Sequence, residues 1–179
     1  MRTELYIGGA WRMGAGERFA SHDPATGDKV WEGRAGDADD VAEAMAAARL
    51  AFPSWSRTPL DERVAIARAF AKAIEKRAEE IARTSSGEMG KTLWDAKGEV
   101  QAMIGKVEVS IRAQAERAGQ REEKAAFGAT TLSHRAHGVL AVFGPFNFPG
   151  HLPNGHVVPA LLAGNVVLFK PSELTPGVG

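Results

Sequence analysis

Two continuous apolar runs near the carboxyl end of the sequence, Val139–Phe143 and residues 166–169, predict a pair of buried parallel strands. The segment between them, about residues 152–163, is helical in pattern and closes at Gly164-Asn165. A strand, a helix and a second strand in this order form a βαβ unit, with both strands parallel in one sheet. Parallel sheets are normally covered on both faces. The sequence therefore predicts an α/β fold with further strands to come, so the 179 residues are expected to be part of a larger fold.

The amino-terminal segment predicts short strands joined by glycine turns. The apolar residues 5–7 lead into Gly8-Gly9 and then Trp11, which is the pattern of a hairpin whose turn needs positive φ. Residues 23–27 predict a second turn, followed by a short strand near residues 30–31.

Residues 37–117 change to a helical period. We expect a helix capped by Asp37 that runs to about residue 51 and is ended by Pro53. Apolar residues three and four positions apart then predict one helix over residues 58–81 and another over residues 93–116. The break between these two helices is bracketed by two glycines: Gly87 and Gly90.

Charge and composition exclude several classes of function. Lys plus Arg and Asp plus Glu each number 22, so the formal net charge is zero, which does not suit a nucleic-acid binder or an anionic membrane surface. The absence of cysteine excludes disulfides, thiolate metal sites and a cysteine nucleophile within these residues. The histidines fit no zinc spacing, and we expect no metal site. The first residues lack a signal-peptide pattern, which predicts a cytoplasmic protein.

Asn147 follows the first buried strand, where open α/β sheets place their ligands. Its side-chain amide is a neutral donor suited to an oxygen that gains negative charge during a reaction. A purely structural alternative is an asparagine in a turn between two prolines, Pro145 and Pro149.

Lys170 and Glu173 follow the second buried strand and are predicted to lie at the same sheet edge as Asn147. A donor and an acceptor three residues apart in a turn could hold the vicinal hydroxyls of a ribose. The structural alternative is a strand end closed by a surface ion pair.

Five segments together resemble the aldehyde dehydrogenase family, in order along nearly the whole chain. Glu88-Met89-Gly90-Lys91 resembles the family's Glu-x-Gly-Lys-Pro, with Thr92 in place of proline. Apart from the five segments, residues 150–156, Gly-His-Leu-Pro-Asn-Gly-His, resemble the branch of the family that acts in arginine degradation. With residues 88–91, the five segments are completed by Ile7-Gly8-Gly9, Asp23-Pro24-Ala25-Thr26-Gly27, residues 138–149 (Gly-Val-Leu-Ala-Val-Phe-Gly-Pro-Phe-Asn-Phe-Pro) and residues 159–173 (Pro-Ala-Leu-Leu-Ala-Gly-Asn-Val-Val-Leu-Phe-Lys-Pro-Ser-Glu).

The resemblance implies the leading part of a Rossmann-like NAD-binding domain. Residues 1–117 would be its amino-terminal strands and helices, 118–136 an oligomerisation arm, and 137–179 its first βαβ unit. The parent protein would oxidise a small-molecule aldehyde to an acid with NAD(P) as a homo-oligomer, a dimer or tetramer.

The resemblance also implies roles for single residues. Asn147 would stabilise the oxyanion of the thiohemiacetal, Lys170 and Glu173 would bind the adenosine ribose of the cofactor, and Ser172 would be a further cofactor-binding residue. A carboxylate beside the ribose 2′-hydroxyl repels a 2′-phosphate, which favours NAD over NADP. The strand end that would line the cofactor cleft comprises four residues: Phe143, Gly144, Pro145 and Phe146.

The sequence departs from the family pattern in two ways that limit which residue roles can be transferred to it. His156 stands where many members have a lysine near the asparagine. The catalytic Cys and Glu of the family would lie beyond residue 179, so we expect these residues alone to be inactive. Two other functions stay open: a non-catalytic binding or assembly protein with this fold, and another nucleotide-binding module. The helical amino-terminal half argues against the second, and a downstream cysteine would favour the enzyme over the first.

Overall fold

The computed structural model describes residues 1–179 and contains eight strands and five helices. In chain order they are β1 Leu5–Ile7, β2 Ala10–Arg12, β3 Arg18–His22, β4 Lys29–Arg34, α1 Ala38–Trp55, α2 Leu60–Lys76, α3 Ala78–Met89, α4 Leu93–Arg117, β5 Arg121–Ala125, β6 Gly128–Leu132, β7 Val139–Phe143, α5 His151–Leu162 and β8 Val166–Lys170. The strands pair into four separate two-stranded sheets, and only β7–β8 is parallel.

Both amino-terminal turns lie where the sequence predicts them. Gly8 and Gly9, at φ 59° and 86°, join β1 to β2 as an antiparallel hairpin. Gly27, at φ 80°, closes the turn between β3 and β4. Residues without a Cβ adopt positive φ at little cost, which explains why glycine occupies these turns.

Helix α1 begins as predicted and ends later than predicted. The Asp37 side chain accepts from the backbone N–H of Asp40, and the Asp40 side chain accepts in return, which forms a reciprocal cap. Pro53 does not end the helix, contrary to the prediction, because it lies in the last turn. Because proline has no backbone N–H, the helix lacks one hydrogen bond at this position. The N–H of Ser56 still donates to the Phe52 carbonyl at 2.9 Å.

The helix predicted over residues 58–81 is two helices, α2 and α3. Arg77 interrupts it with φ −108° and ψ 16°, and its N–H donates to the Ile74 carbonyl three residues back. The apolar spacing continues across this break because Ala78 and Ile81 pack on the same cluster as Ile74. The predicted break at the glycines is half correct, since Gly87 lies inside α3 whereas Gly90, at φ 70°, ends it.

Helix α4 lies at the centre of the molecule and packs against α2, α3 and α5. Two apolar clusters form along it. One joins Ile74, Ala82, Ala96, Val100 and Met103, and the other joins Ala67, Val107, Val158 and Leu162. The second cluster attaches α5, and with it the parallel strands, to the helical layer.

Strands β7 and β8 and helix α5 form the predicted βαβ unit, but the strands are less buried than predicted, and no residue of β8 is fully buried. Within β7 only Val142 is buried, and Phe143 is 77% exposed, because a two-stranded sheet leaves apolar positions without a covering layer. Residues 118–136, expected to form an oligomerisation arm, contain strand β5. It pairs with β6 in an antiparallel hairpin whose residues are all exposed.

Candidate functional site

Strands β7 and β8 end side by side, which brings two polar segments to one sheet edge. Phe143 pairs with Lys170 at the carboxyl ends of the strands, and the Gly144 N–H donates to the Lys170 carbonyl at 2.9 Å. The loop 144–150 and the turn 171–175 both leave from this point. Crevices beyond the carboxyl ends of parallel strands are where open α/β sheets bind ligands.

Lys170 and Glu173 form an exposed ion pair at this edge. The Lys170 Nζ donates to the Glu173 Oε2 at 2.9 Å. This hydrogen bond, followed by one from the residue's own backbone N–H and by the lysine charge, lowers the pKa of the Glu173 carboxyl. The carboxylate is therefore ionised at neutral pH, and both side chains are open to solvent.

Ser172 supports the turn between these two residues. It is buried, and its hydroxyl oxygen accepts from the Leu174 N–H at 3.2 Å. The Leu174 carbonyl in turn accepts from the Ser21 hydroxyl at 2.7 Å. The Ser172 side chain is thus engaged inside the protein, whereas those of Lys170 and Glu173 face solvent.

Asn147 lies at the exposed tip of the loop after β7. Its side chain is exposed, as are the neighbouring rings of Phe146 and Phe148. At the base of the loop, Gly144 approaches the Phe169 ring, where a Cβ would lie 3.0 Å from a ring carbon. The loop therefore leaves the strand close to β8 and presents an amide donor among aromatic side chains.

The buried carboxylate of Glu99 lies beneath this loop and is only 2% exposed. Its Oε1 accepts from the backbone N–H groups of Gly150 and His151, at 3.0 and 3.1 Å. Its Oε2 accepts from the Lys91 Nζ at 2.8 Å and from the Ser85 hydroxyl at 3.4 Å. One side chain of α4 therefore joins α3, the residues after it and the start of α5.

Neither Glu99 nor Lys91 is predicted from the sequence to be a site residue, and Lys91 stands there only in the segment 88–91 that resembles the family. A signal was present, because Glu99 falls on the buried stripe of α4 with Ala96, Val100 and Met103. A carboxylate on such a stripe needs buried partners. Two of them, Lys91 and Ser85, are 8 and 14 positions away, and the backbone groups of Gly150 and His151 are 51 and 52 positions away.

The structure contains neither a metal-binding cluster nor a transmembrane helix. No group of three or more His, Asp or Glu side chains is arranged to hold a metal ion. None of the five helices combines the length and the apolar character that a bilayer crossing requires.

Comparison with known proteins matches residues 11–179 to the aldehyde dehydrogenase family. The chain is 58% identical over 176 residues to N-succinylglutamate 5-semialdehyde dehydrogenase of Burkholderia mallei (strain SAVP1). It is 54% identical to the protein of the same name from Paraburkholderia xenovorans (strain LB400). Each match covers 98% of this chain and 36% of the relative, so the chain spans about a third of the length of these relatives.

Solved structures support the same fold. An NAD-dependent benzaldehyde dehydrogenase from Corynebacterium glutamicum superposes with a TM-score of 0.89 at 30% identity, over 99% of this chain and 39% of that one. An NADP-dependent glyceraldehyde-3-phosphate dehydrogenase from Bacillus halodurans C-125 gives 0.92 at 27% identity, over 100% and 39%. The chain has the fold of the leading part of these two enzymes, of which one depends on NAD and the other on NADP.

Proposed function

Because the chain belongs to the aldehyde dehydrogenase family, we propose that the full-length protein that contains it oxidises an aldehyde to a carboxylic acid with NAD(P)⁺. The observation that carries this proposal is the convergence of the Asn147 loop and the Lys170–Glu173 pair at one sheet edge. A dinucleotide has to be held at its adenosine end while its nicotinamide lies against the reacting carbonyl, so a ribose-binding pair and an oxyanion donor are both needed along one cleft.

We assign Asn147 the role of stabilising the oxygen of the reacting carbonyl group. When a nucleophile adds to an aldehyde, the carbonyl oxygen becomes an anion, and an oriented amide N–H lowers the free energy of that state. The nucleophile would come from outside these residues, since they contain no cysteine. The exposed position of Asn147 at the loop tip supports access to a substrate.

Lys170 and Glu173 are the residues we assign to the adenosine ribose. Their chemistry fits that group, because an ionised carboxylate accepts from hydroxyls and an ammonium donates to them. Ser172 would shape this turn from inside, and Phe143, Gly144, Pro145 and Phe146 would line the cleft beside it. The cofactor, when bound, supplies the hydride acceptor.

The substrate we propose is N-succinyl-L-glutamate 5-semialdehyde, oxidised to N-succinyl-L-glutamate in arginine catabolism. Support comes from the 58% identity to relatives of that name, against 30% to the benzaldehyde dehydrogenase structure. The residues 150–156, which resemble the same branch, lie in the loop and α5 directly after Asn147.

Steady-state assays of the full-length protein test the reaction and the substrate separately. NADH formation is expected with N-succinylglutamate 5-semialdehyde, at a higher kcat/KM than with benzaldehyde as the matched control aldehyde. No turnover of any aldehyde would contradict the proposed reaction, whereas a preference for benzaldehyde would contradict the substrate alone. The 179-residue chain serves as a negative control, because it holds no cysteine.

We expect the exposed β5–β6 hairpin, within residues 118–136, to pair with a second subunit in a homo-oligomer. Its residues are all exposed, and Phe127 at its turn is fully open to solvent. An exposed strand edge presents unpaired backbone groups that can continue a neighbouring sheet.

Cofactor choice is predicted to depend on Glu173. In the full-length enzyme, Glu173→Gln is expected to weaken NAD binding modestly and to lower the ratio of kcat/KM for NAD over that for NADP several-fold. The substitution removes the repulsion of a 2′-phosphate while Lys170 remains to attract it, and solvent screening keeps the effect moderate. Glu80→Gln is a matched control, since Glu80 forms a similar exposed pair with Arg77 away from the site. An unchanged ratio in Glu173→Gln would remove the basis for the NAD preference.

A further inference from the structure

Helix α5, which follows the Asn147 loop, begins without a capping side chain of its own. Gly150 is its N-cap residue, and the first backbone N–H groups of a helix have no partner within the helix. Glu99, on α4, accepts from two of them, those of Gly150 and His151. The negative charge also suits the positive end of the helix dipole. The cap is thus provided by a residue more than fifty positions earlier in the chain.

Lys91 holds the other side of the same loop. Its ammonium lies 2.8 Å from the Glu99 Oε2, 3.4 Å from the Asn147 carbonyl oxygen and 4.6 Å from the centre of the Phe148 ring. The lysine side chain is only 10% exposed. The backbone is therefore held at Asn147 itself and at the two residues where α5 begins.

We propose that Lys91 and Glu99 are positioning residues that fix the loop so that the Asn147 amide meets the reacting oxygen. The inference rests on the role proposed above for Asn147. A buried ion pair generally adds little stability compared with apolar residues of similar size, because both charges lose their hydration. Here Lys91 and Glu99 contact the backbone at three positions: Asn147, Gly150 and His151. A catalytic group displaced by about 1 Å can lower the rate about a hundredfold.

A double-mutant cycle in the full-length enzyme tests this proposal. Glu99→Gln is expected to lower kcat about ten- to hundredfold with the dissociation constant for NAD unchanged, because a neutral amide cannot accept from both Lys91 and the helix start. In the Asn147→Ala background the same substitution is expected to change kcat by less than about threefold, since residues that act through one another are not additive.

Glu108→Gln is the matched control on the same helix. Glu108 pairs with Arg68 on the exposed surface, so its substitution is expected to leave kcat unchanged. If Glu99→Gln does not fold, as judged by circular dichroism, Lys91→Met takes its place in the cycle with the same expectation. That variant leaves the hydrogen bonds from Gly150 and His151 to Glu99 in place.

Hydrogen exchange gives a second readout that does not depend on activity. Amides in residues 144–152 are expected to exchange faster in the Glu99→Gln or Lys91→Met enzyme than in the unsubstituted and Glu108→Gln enzymes. Unchanged exchange, or an equal loss of kcat with and without Asn147, would overturn the positioning role. An unsubstituted enzyme without aldehyde turnover, but with faster exchange in the variants, would contradict the proposed function and leave the contacts to the loop supported.

Discussion

Replacing Asn147 by alanine in the full-length enzyme is expected to lower kcat by about a hundredfold or more. Removal of one preorganised oxyanion donor costs about 2.7–4 kcal/mol of transition-state stabilisation. The side chain is exposed at the loop tip, and the contact that holds the loop at this residue uses its backbone carbonyl. Truncation at Cβ should therefore remove the amide without releasing the loop. The dissociation constant for NAD should change little, because the proposed ribose contacts come from Lys170 and Glu173.

Single-turnover kinetics separate this loss in the chemical step from a change in binding or product release. Gln101→Ala is a suitable control, since Gln101 is an exposed amide on α4 away from the loop. A near-normal kcat for Asn147→Ala would contradict the assigned role and would favour the structural alternative, an asparagine in a turn.

The meeting of the two polar segments could be predicted from the sequence because it depends on chain topology. Once β7, α5 and β8 form a βαβ unit, the strands must run parallel, and their carboxyl ends must share an edge. The turns at Gly8-Gly9 and Gly27 could be predicted from local sequence, because these turns need positive φ and glycine is the residue that adopts positive φ at little cost.

The helix boundaries could be predicted only in part. Apolar periodicity reports which side chains face the core, and it continues unchanged when one residue, Arg77, leaves the helical conformation. Pro53 is the opposite case, because the effect of a proline on a helix depends on its position. A proline in the final turn removes one hydrogen bond and leaves the later residues free to continue.

The Lys91–Glu99 network could not be predicted from local patterns. Lys91 and Glu99 are only 8 positions apart, but their contacts to the Asn147 loop and to the start of α5 join residues more than fifty positions apart. The geometry of these contacts depends on how α4 packs against α5. The exposure of β7 has a related cause. An apolar run shows that a strand is suited to burial, whereas its actual burial depends on what covers the sheet.

Leu162 is the residue whose truncation is expected to destabilise the chain most clearly. It is 1% exposed and lies in the cluster that joins α5 to α2 and α4, beside Val107 and Val158. Its backbone carbonyl also accepts from the Arg63 guanidinium at 3.0 Å, so the end of α5 has little freedom to collapse around a cavity. Leu-to-Ala changes at such sites cost about 2–5 kcal/mol, through lost burial and the cavity that remains.

Urea denaturation of the 179-residue chain would measure this loss, with Leu162→Ala compared against Leu50→Ala. Leu50 lies on α1 and is 84% exposed, so its truncation should change the free energy of unfolding by less than about 0.5 kcal/mol. For Leu162→Ala the midpoint should fall while the denaturant slope stays constant, which marks a change in stability and not in the extent of unfolding. Equal, small losses in the two variants would mean that α5 is not anchored through this cluster. The helical layer would then not be what holds the sheet edge, with Asn147 and Lys170, in place.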